Sequence, residues 1–484
     1  MVNFRIISKI IGSLLFIEAF FMGCCAAMAF SFHEDDTMAF MMSTLNTFCG
    51  AFIFLFFGRE AENTLGRRDA YVVVTLTWVV FSFFGMFPFL IHGSLNSITD
   101  AYFETMSGFT TTGATVIDNV ESLPHGLLFW RSLMQWIGGL GIVFFTIAIL
   151  PSLVGGSVKV FAAEATGPMR SKMHPRLSTS AKWIWSIYVL LTIVCAVSFW
   201  LAGMDWFGAT NYSMSTTATG GFSIHNGTIF LASPLIEYLA ILFQFLAGIN
   251  FTLLYMGLFK WKMGVLLRNS EFKMYVITIL IATAWIMYLL ITRMDYSLET
   301  AFRSSLFQVV SFITTTGLSN TDAGTWPHIT WAILMVLMFM GACAGSTTGG
   351  FKSVRVLMLL KVLRNEFRHI IHPNAVMPVK MSGQSIPQNR LVTLLAFLTL
   401  YIIALALVVV IMNVAGIDIT NAVTISLSLI SNVGAGLDTN IGPQMSWADL
   451  SVGLKWLCSF LMLVGRLEIV AVLVLFTRSF WKEN

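Results

Sequence analysis

The chain has 484 residues, of which 57% are hydrophobic and 11% are charged, and its formal net charge at pH 7 is +4. Soluble domains carry about 25% charged residues, so this composition excludes an ordinary soluble protein. Apolar runs long enough to cross a bilayer recur from end to end, which predicts an all-α polytopic membrane protein. The six cysteines lie in apolar segments, where they indicate membrane packing rather than disulfides or a metal cluster.

Hydropathy divides the chain into about ten predicted transmembrane helices. They are placed at residues 10–31, 39–57, 71–92, 126–150, 182–203, 234–259, 274–293, 328–348, 391–412 and 452–476. A signal peptide is the alternative for the first, because basic residues precede it and small residues end it, but its length favours a retained helix. Glu18 in this helix is expected to face protein, since a carboxylate is costly in lipid.

Lys and Arg residues concentrate on alternate connections between the predicted helices. They crowd residues 59–68, 159–182, 260–273, 352–390 and 478–482. Because basic residues mark the cytoplasmic side of a membrane protein, both termini are expected to be cytoplasmic. The long basic connections 159–182 and 352–390 are also candidates for binding anionic membrane lipids or a soluble regulator.

Four segments on the predicted outer side are too long for tight loops and too polar for simple spans. They lie at residues 95–116, 205–223, 297–319 and 418–438. Each begins with polar residues, continues with a moderately apolar stretch and ends in a phrase rich in Ser, Thr or Asn. This pattern predicts re-entrant half-helices followed by extended backbone. Glu104, on the first of them, is expected to brace the half-helix or to attract cations.

The ends of these segments repeat one phrase. It appears as TTTGAT, TATGGF, TTTGLS and SNVGAG around Gly113, Gly220, Gly317 and Gly434. The repetition predicts four copies of helix, pore half-helix and helix, related by pseudo-fourfold symmetry. The predicted domains are an N-terminal two-helix domain at 1–70 and pore repeats at 71–158, 159–260, 261–365 and 366–484.

The repeated phrases have the chemistry of a cation filter. Glycine lets successive carbonyl groups turn the same way, and rings of carbonyl oxygens can replace the hydration shell of a cation. Because the phrases lack carboxylates, their oxygens are neutral, which favours a monovalent cation and, with glycine in every phrase, potassium over sodium. Packing of small residues between helices is the alternative. The predicted filter residues, with potassium as the bound ion, are Thr111, Thr112, Gly113, Ala218, Thr219, Gly220, Thr315, Thr316, Gly317, Asn432, Val433 and Gly434.

A glycine-rich stretch, GACAGSTTGG, interrupts the predicted helix at residues 341–350. Each glycine in a helix interior costs about 1 kcal/mol relative to alanine, so the helix is expected to break there. Arg466 lies in the middle of the last predicted span, and the hypothesis is that it faces the pore, contacts this stretch and repels cations. A packed helix face and a structural arginine are the alternatives. The predicted gate residues are Gly341, Gly345, Ser346, Thr347, Thr348, Gly349, Gly350 and Arg466.

Longer motifs extend these observations. They are WRSLMQWIGGLGIV at 130–143, MHPRLSTSAK at 173–182, GACAGSTTGGFKSVR at 341–355 and IIHPNAVMPVK at 370–380. With these motifs and the two additional N-terminal helices, the chain resembles the Trk/Ktr/HKT superfamily of potassium transporters over essentially its whole length, and within it the bacterial TrkH branch. The resemblance implies potassium uptake across a bacterial inner membrane. The family's filter glycines carry over onto Gly113, Gly220, Gly317 and Gly434.

Departures from the family pattern concern the filter. Some plant relatives carry Ser in place of the first filter glycine and favour sodium, so Gly113 supports potassium. Ala218 replaces a threonine in repeat two, and Asn432 and Val433 replace a Thr-Thr pair in repeat four. The fourfold ring is therefore expected to be approximate.

The resemblance also implies a gate and partners. The 341–350 stretch would be an intramembrane loop beneath the filter, with Arg466 as its gating arginine and with Lys352 and Arg355 where the loop meets the cytoplasm. The implied partners are a second copy of the chain, which would make a homodimer, and a cytosolic nucleotide-binding TrkA-like regulatory ring.

The sequence argues against an enzyme. A membrane enzyme would need paired aspartates, an H-E-x-x-H motif or a Ser/His set within the spans, yet all eight histidines fall in predicted loops or at span ends. No organic cofactor and no nucleic-acid partner are expected. The alternative transport mechanism is a potassium symporter coupled to protons or sodium. Such coupling would use a relay of intramembrane carboxylates, and Glu18, Glu104 and Glu468 form no evident relay.

Overall fold

A computed structural model describes residues 2–61, 65–141, 177–226, 233–374, 377–382, 384–436 and 447–482. Within these ranges six helices are long and apolar enough to cross a membrane, and two bent helix pairs raise the number to eight. The described strands are Lys380–Met381 and Gln384–Ser385, which pair as a short antiparallel hairpin. The prediction of an all-α polytopic membrane protein is confirmed.

The N-terminal pair of helices forms a buttress against the first repeat. Helix α1 is Phe4–Phe32 and α2 is Asp36–Gly58. Helix α1 packs along α2 and also contacts the helices of the first repeat. The side chain of Glu18 on α1 is fully buried, so the expectation that it faces protein is confirmed.

The first repeat contains four described α-helices. They are α3 (Arg67–Gly85), α4 (Phe87–His92), α5 (Ile98–Phe109) and α6 (His125–Gly139). Helices α3 and α4 follow the predicted span 71–92, and Pro88 in the first turn of α4 explains the break between them. The later part of the predicted span 126–150 and most of the basic connection 159–182 lie outside the described residues.

The remaining helices follow the same order of long helix, short helix and long helix. In the second repeat they are α7 (Leu177–Leu201), α8 (Trp206–Ala218), α9 (Pro234–Ala247) and α10 (Phe251–Leu254). Helix α11 (Met263–Arg268) connects the second repeat to the third. In the third they are α12 (Ser270–Met294), α13 (Leu298–Ile313), α14 (His328–Met340) and α15 (Ser353–Ile371). In the fourth they are α16 (Gln388–Val414), α17 (Ile419–Ser431), α18 (Val452–Arg466), α19 (Ile469–Leu473) and α20 (Arg478–Trp481).

Three of the predicted spans are broken in the structure. The pair α9 and the Phe251–Phe259 segment is bent by 103°, and the pair α18 and Ile469–Phe476 is bent by 114°. Helix α14 ends at Met340, before the predicted end of its span at 348. Each break brings non-helical backbone into the interior of the bundle, where protein can satisfy its polar groups.

Four short helices, α5, α8, α13 and α17, are the expected half-helices. Aspartate or serine caps begin three of them, because Asp205, Ser297 and Asp418 each accept a hydrogen bond from a first-turn amide. Their C-terminal halves are buried in the centre of the bundle. The carbonyl end of a helix carries a partial negative charge, so the four helices can present this charge to a common interior point.

Candidate ion-conduction site

The four half-helices end in the same turn. The first residue of each turn has a left-handed backbone, with φ of 54° at Thr111, Thr219 and Thr315 and 56° at Asn432. A glycine with positive φ follows two residues later in every copy. These glycines are Gly113, Gly221, Gly317 and Gly434, with φ of 83°, 82°, 74° and 74°. Left-handed threonine is uncommon, so its recurrence marks a built feature of the fold.

One hydrogen bond closes each of these turns. The amide of the residue before the glycine donates to the carbonyl of a serine five residues earlier. The four pairs are Thr112 to Ser107 at 2.9 Å, Gly220 to Ser215 at 2.9 Å, Thr316 to Ser311 at 2.8 Å and Val433 to Ser428 at 2.8 Å. The backbone therefore reverses in the same way in all four repeats.

The four turns meet in a closed ring, which we call the glycine ring. A methyl group on Gly113 would overlap the Gly220 carbonyl oxygen of the next repeat. The same relation holds between Gly221 and the Thr316 oxygen, between Gly317 and the Val433 oxygen, and between Gly434 and the Thr112 oxygen. Because the fourth contact returns to the first repeat, the segments surround one axis in chain order.

The ring shows that Gly221, and not Gly220, is the structural equivalent of Gly113. Gly220 corresponds to Thr112, and Thr219 corresponds to Thr111. The sequence-based alignment, which matched Gly220 to Gly113, is therefore wrong by one residue in repeat two. Ala218 is the last residue of α8 and lies one position before the left-handed residue.

The position of a serine in the sequence gives the correct alignment of the four repeats. Serine precedes the ring glycine by six residues in every repeat. The serines are Ser107, Ser215, Ser311 and Ser428. This spacing selects Gly221 over Gly220 without reference to the structure.

The side chains of the predicted filter residues are buried and brace the turns. Asn432 donates from its amide to the Thr112 hydroxyl at 2.9 Å and to the Met462 carbonyl at 2.9 Å. The Thr314 and Thr316 hydroxyls lie 2.8 Å apart, as do those of Thr110 and Thr112. Asn432, which replaces a threonine of the family pattern, therefore links repeat four to repeat one.

A buried ion pair holds the extended segments that follow the first two turns. Arg131 Nε donates to the Glu104 carboxylate at 2.9 Å, with 2% and 0% of the two side chains exposed. Glu104 also accepts from the Thr115 hydroxyl and the Val116 amide, both at 3.0 Å. These contacts show that Glu104 braces the segment after the first turn.

Arg131 extends these contacts to the second repeat. Its guanidinium donates to the Ser223 carbonyl at 2.8 Å and stacks 4.1 Å from the centre of the Phe222 ring. Arg131 was not among the sequence-based candidates, although it falls within the predicted span 126–150. Its distance from the basic clusters was the available signal, because a charge inside a membrane helix needs a partner.

Other repeats place a different side chain at the position of Glu104. Tyr212 in repeat two contacts the Ser223 hydroxyl at 3.0 Å, and Gln308 in repeat three donates to the Ser319 hydroxyl at 2.6 Å. Repeat four carries Ile425 there, buried among apolar neighbours. The half-helices are thus braced by hydrogen bonds in three repeats and by packing in the fourth.

Gln135 on α6 supports the second turn from behind. Its Nε2 donates to the Gly220 carbonyl at 2.7 Å, and its Oε1 accepts from the Phe222 amide at 3.1 Å. The side chain is fully buried. This residue was not singled out from the sequence, and it fixes the backbone on both sides of Gly221.

A non-helical loop at residues 341–352 separates α14 from α15. Gly341, Gly345 and Gly350 have φ of 63°, 76° and 76°, as the glycine content led us to expect. The loop contacts the ends of the half-helices directly. Gly349 donates from its amide to the Thr315 hydroxyl at 2.7 Å, and the Thr347 hydroxyl donates to the Thr217 carbonyl at 3.1 Å.

The other side of this loop is held by the second and third repeats. The Cys343 amide donates to the Gly248 carbonyl at 3.1 Å, and Asn250 Nδ2 donates to the Ala344 carbonyl at 2.5 Å. Glu271, at the start of α12, accepts from the Ala344 amide at 2.6 Å. Residue Glu271 is buried, and it was not among the sequence-based candidates.

Arg466 joins the loop to the first repeat. Its guanidinium donates to the Thr347 carbonyl at 2.9 Å and to the Gly138 and Gly139 carbonyls at 2.7 and 2.6 Å. The contact with the loop is the one that the hypothesis named. The gating role of Arg466 stays a prediction.

The expectation for Lys352 and Arg355 is wrong. They are 2% and 5% exposed, so they do not mark a boundary with solvent. The loop turns back into the protein, which places Lys352 against Thr348 and pairs Arg355 with Glu468 at 2.6 Å. Glu468 is therefore engaged by an arginine other than Arg466.

Comparison with known sequences identifies the family. The sequence profile of TrkH, described as a cation transport protein, matches residues 36–483. The chain belongs to the TrkH family of cation transport proteins. The prediction of a transporter rather than an enzyme is thereby confirmed.

Individual relatives match over the full length. The chain is 34% identical to the "Trk system potassium uptake protein TrkH" of Salmonella typhimurium, over 99% of this chain and 100% of that protein. The protein of that name from Escherichia coli K12 gives the same identity and coverage. The crystal structure of the potassium transporter TrkH from Vibrio parahaemolyticus superposes with a TM-score of 0.89 at 33% identity, covering 99% of this chain and 100% of that one.

Proposed function

We propose that this protein takes up potassium across the bacterial inner membrane through the glycine ring. The observation that carries the proposal is the closed cycle of glycine and carbonyl contacts among four half-helix ends. The names of the relatives, which are potassium uptake proteins, support potassium as the ion. The bound species is the transported K+ itself.

The ring has the chemistry that a partly dehydrated K+ needs. Carbonyl oxygens supply neutral ligands, and the carbonyl ends of α5, α8, α13 and α17 add partial negative charge. The ring residues include no carboxylate, which agrees with a monovalent ion. We infer that the half-helices begin on the outer side and that both termini are cytoplasmic, as the distribution of Lys and Arg favours.

We further propose that the 341–352 loop closes the pathway beneath the ring. The loop contacts the ring threonines Thr219 and Thr315, and Arg466 places a guanidinium on its Thr347 carbonyl. A fixed positive charge on the pathway raises the energy of a passing cation. Movement of the loop, together with Arg466, would open the path.

Coupling to protons remains the second candidate, and Glu18 favours it. Both carboxylate oxygens of this buried side chain lack a hydrogen-bond partner among the described residues. Glu18 also lies beside Gly85 and Phe109, the last residue of α5. A buried carboxylate without a partner is a candidate proton carrier in membrane transporters.

The test is ion flux into proteoliposomes that contain this chain alone. We expect K+ and Rb+ to enter down their own gradients, with much less Na+ entry. Equal Na+ flux would contradict the selectivity argument. Flux that requires a proton gradient, and that Glu18→Gln removes, would favour the coupled mechanism instead.

We also propose the partners that the resemblance implies, a second copy of the chain and a cytosolic TrkA-like nucleotide-binding ring. Mass measurement in mild detergent and in membranes tests the dimer. A monomer under both conditions would count against it. Co-purification with such a ring, and a nucleotide-dependent change in flux, tests the regulatory partnership.

A further inference from the structure

A second buried cation lies in the 341–352 loop. Lys352 is 2% exposed, and its Nζ donates to the Thr348 carbonyl and to the Thr348 hydroxyl, the latter at 3.1 Å. The backbone at Lys352 has a φ of 78°, next to the positive φ of Gly350. This turn folds the lysine side chain back onto the loop that carries it.

Two successive carbonyl groups of the loop are thus each occupied by a side-chain cation. Arg466 binds the Thr347 carbonyl from α18, and Lys352 binds the Thr348 carbonyl from within the loop. The Ser346 hydroxyl lies 2.8 Å from the Thr348 hydroxyl and adds another oxygen to this cluster. Neutral carbonyl and hydroxyl oxygens are the ligands that we assign to K+ in the glycine ring.

The direct contacts of the Lys352 ammonium are the oxygens of Thr348 rather than a carboxylate. Among the described residues, no carboxylate lies within salt-bridge distance of its ammonium. The nearby Glu271 accepts from a backbone amide, and Glu468 pairs with Arg355. An ammonium group is a compact monovalent cation with three donors, so it occupies these oxygens as a potassium ion would.

We propose that Lys352 is a tethered cation that fills a potassium site in the loop, formed by the oxygens of Thr348 and Ser346. The inference rests on the proposed function, because the lysine competes with passing ions where the pathway runs along this loop. When the loop opens, a permeating K+ takes the place of the ammonium. Lys352 therefore keeps the closed loop free of mobile cations.

The test compares Rb+ flux through wild type, Lys352→Gln, Lys352→Met and Lys352→Arg in proteoliposomes. We expect both neutral variants to raise flux at least about tenfold, because one positive charge leaves the pathway. Lys352→Arg keeps the charge and is expected to stay near wild type. Lys262→Gln removes an exposed lysine and is the matched control.

A binding measurement gives an independent readout. Replacing choline chloride with KCl is expected to raise the Tm of Lys352→Gln more than that of wild type, since the freed oxygens bind K+ in the folded state. Neutral variants that elute normally and conduct no faster than wild type would overturn the proposal. The proposal would also be overturned if Lys352→Arg folds and neither neutral variant does, because the charge would then be required for folding. Wild-type flux no higher than that of empty vesicles would instead contradict the proposed function.

Discussion

Substitution of Gly221 by alanine tests the glycine ring and its register together. Gly221 has a φ of 82°, and an added methyl group would overlap the Thr316 carbonyl oxygen of the next repeat. Real side chains essentially never come within 3.0 Å of such an atom, so the Thr316 carbonyl or the Gly221 backbone must move. Either movement changes the spacing of the oxygens around the axis.

The cost has two physical sources. Left-handed backbone costs a residue with a side chain about 1–2 kcal/mol, and overpacking of a filled interior costs about 1–3 kcal/mol. Together they give roughly 2–5 kcal/mol, against about 1.4 kcal/mol for each tenfold change in an equilibrium. Moving the ring oxygens relieves this strain, and a loss of about 1.4 kcal/mol in their preference for K+ over Na+ lowers the flux ratio about tenfold, which is the least change that we expect in Gly221→Ala.

The assay is paired K+ and Na+ flux in proteoliposomes, with Gly220→Ala as the informative comparison. A methyl group on Gly220 would meet the Gln135 side chain rather than a backbone carbonyl, and Gly220 lacks a positive φ. We expect a smaller loss of selectivity from it. Gly23→Ala is the matched control, because a methyl group there meets no atom within 4 Å.

The reverse result would refute this reasoning. If Gly220→Ala abolishes selectivity while Gly221→Ala preserves it, the register drawn from the ring is wrong. If both variants keep the wild-type flux ratio at normal expression, the ring is not the element that selects the ion.

Two further predictions concern the buried charges. Arg131→Met and Glu104→Gln should each cost about 3–5 kcal/mol, because each leaves a buried charge unpaired, and the double variant should cost less than the sum. Thermal unfolding in detergent measures this, and additive losses would show that the pair does not act as a unit. Arg466→Ala should raise Rb+ flux above wild type, whereas Arg478→Ala, which removes an exposed charge, should not. Flux at or below wild type with normal expression would contradict a barrier role for Arg466.

The sequence predicted the helical fold because its strongest signals are local. A long apolar run must be a helix in lipid, and a run of glycines must weaken one, so the spans and the break at residues 341–350 are readable without tertiary information. The half-helices were found because one uncharged phrase recurs between long apolar stretches. These features depend on composition within a single segment.

What the sequence did not predict depends on contacts between segments. The partner of Arg131 is Glu104, on another helix, and no local pattern joins them. Lys352 and Arg355 look like an ordinary basic boundary, yet they are buried because the loop turns inward. The displaced register at Gly221 arose because two adjacent glycines are indistinguishable by type, and the spacing from Ser215 that separates them gains its meaning only from the turn that the structure shows.

The fourth repeat explains how a filter built from backbone tolerates a divergent sequence. Val433 occupies the ring through its carbonyl, against Gly317, so the ring makes no demand on its side chain. Asn432 adopts the left-handed conformation that asparagine accepts more readily than threonine does. The left-handed threonines of repeats two and three are the costlier choice, and both contact the 341–352 loop: Thr315 accepts from the Gly349 amide, and Thr219 donates to the Thr347 hydroxyl at 3.3 Å. Thr111 in repeat one keeps the same left-handed backbone, so this strain is shared by three repeats and belongs to the ring itself rather than to its contact with the loop.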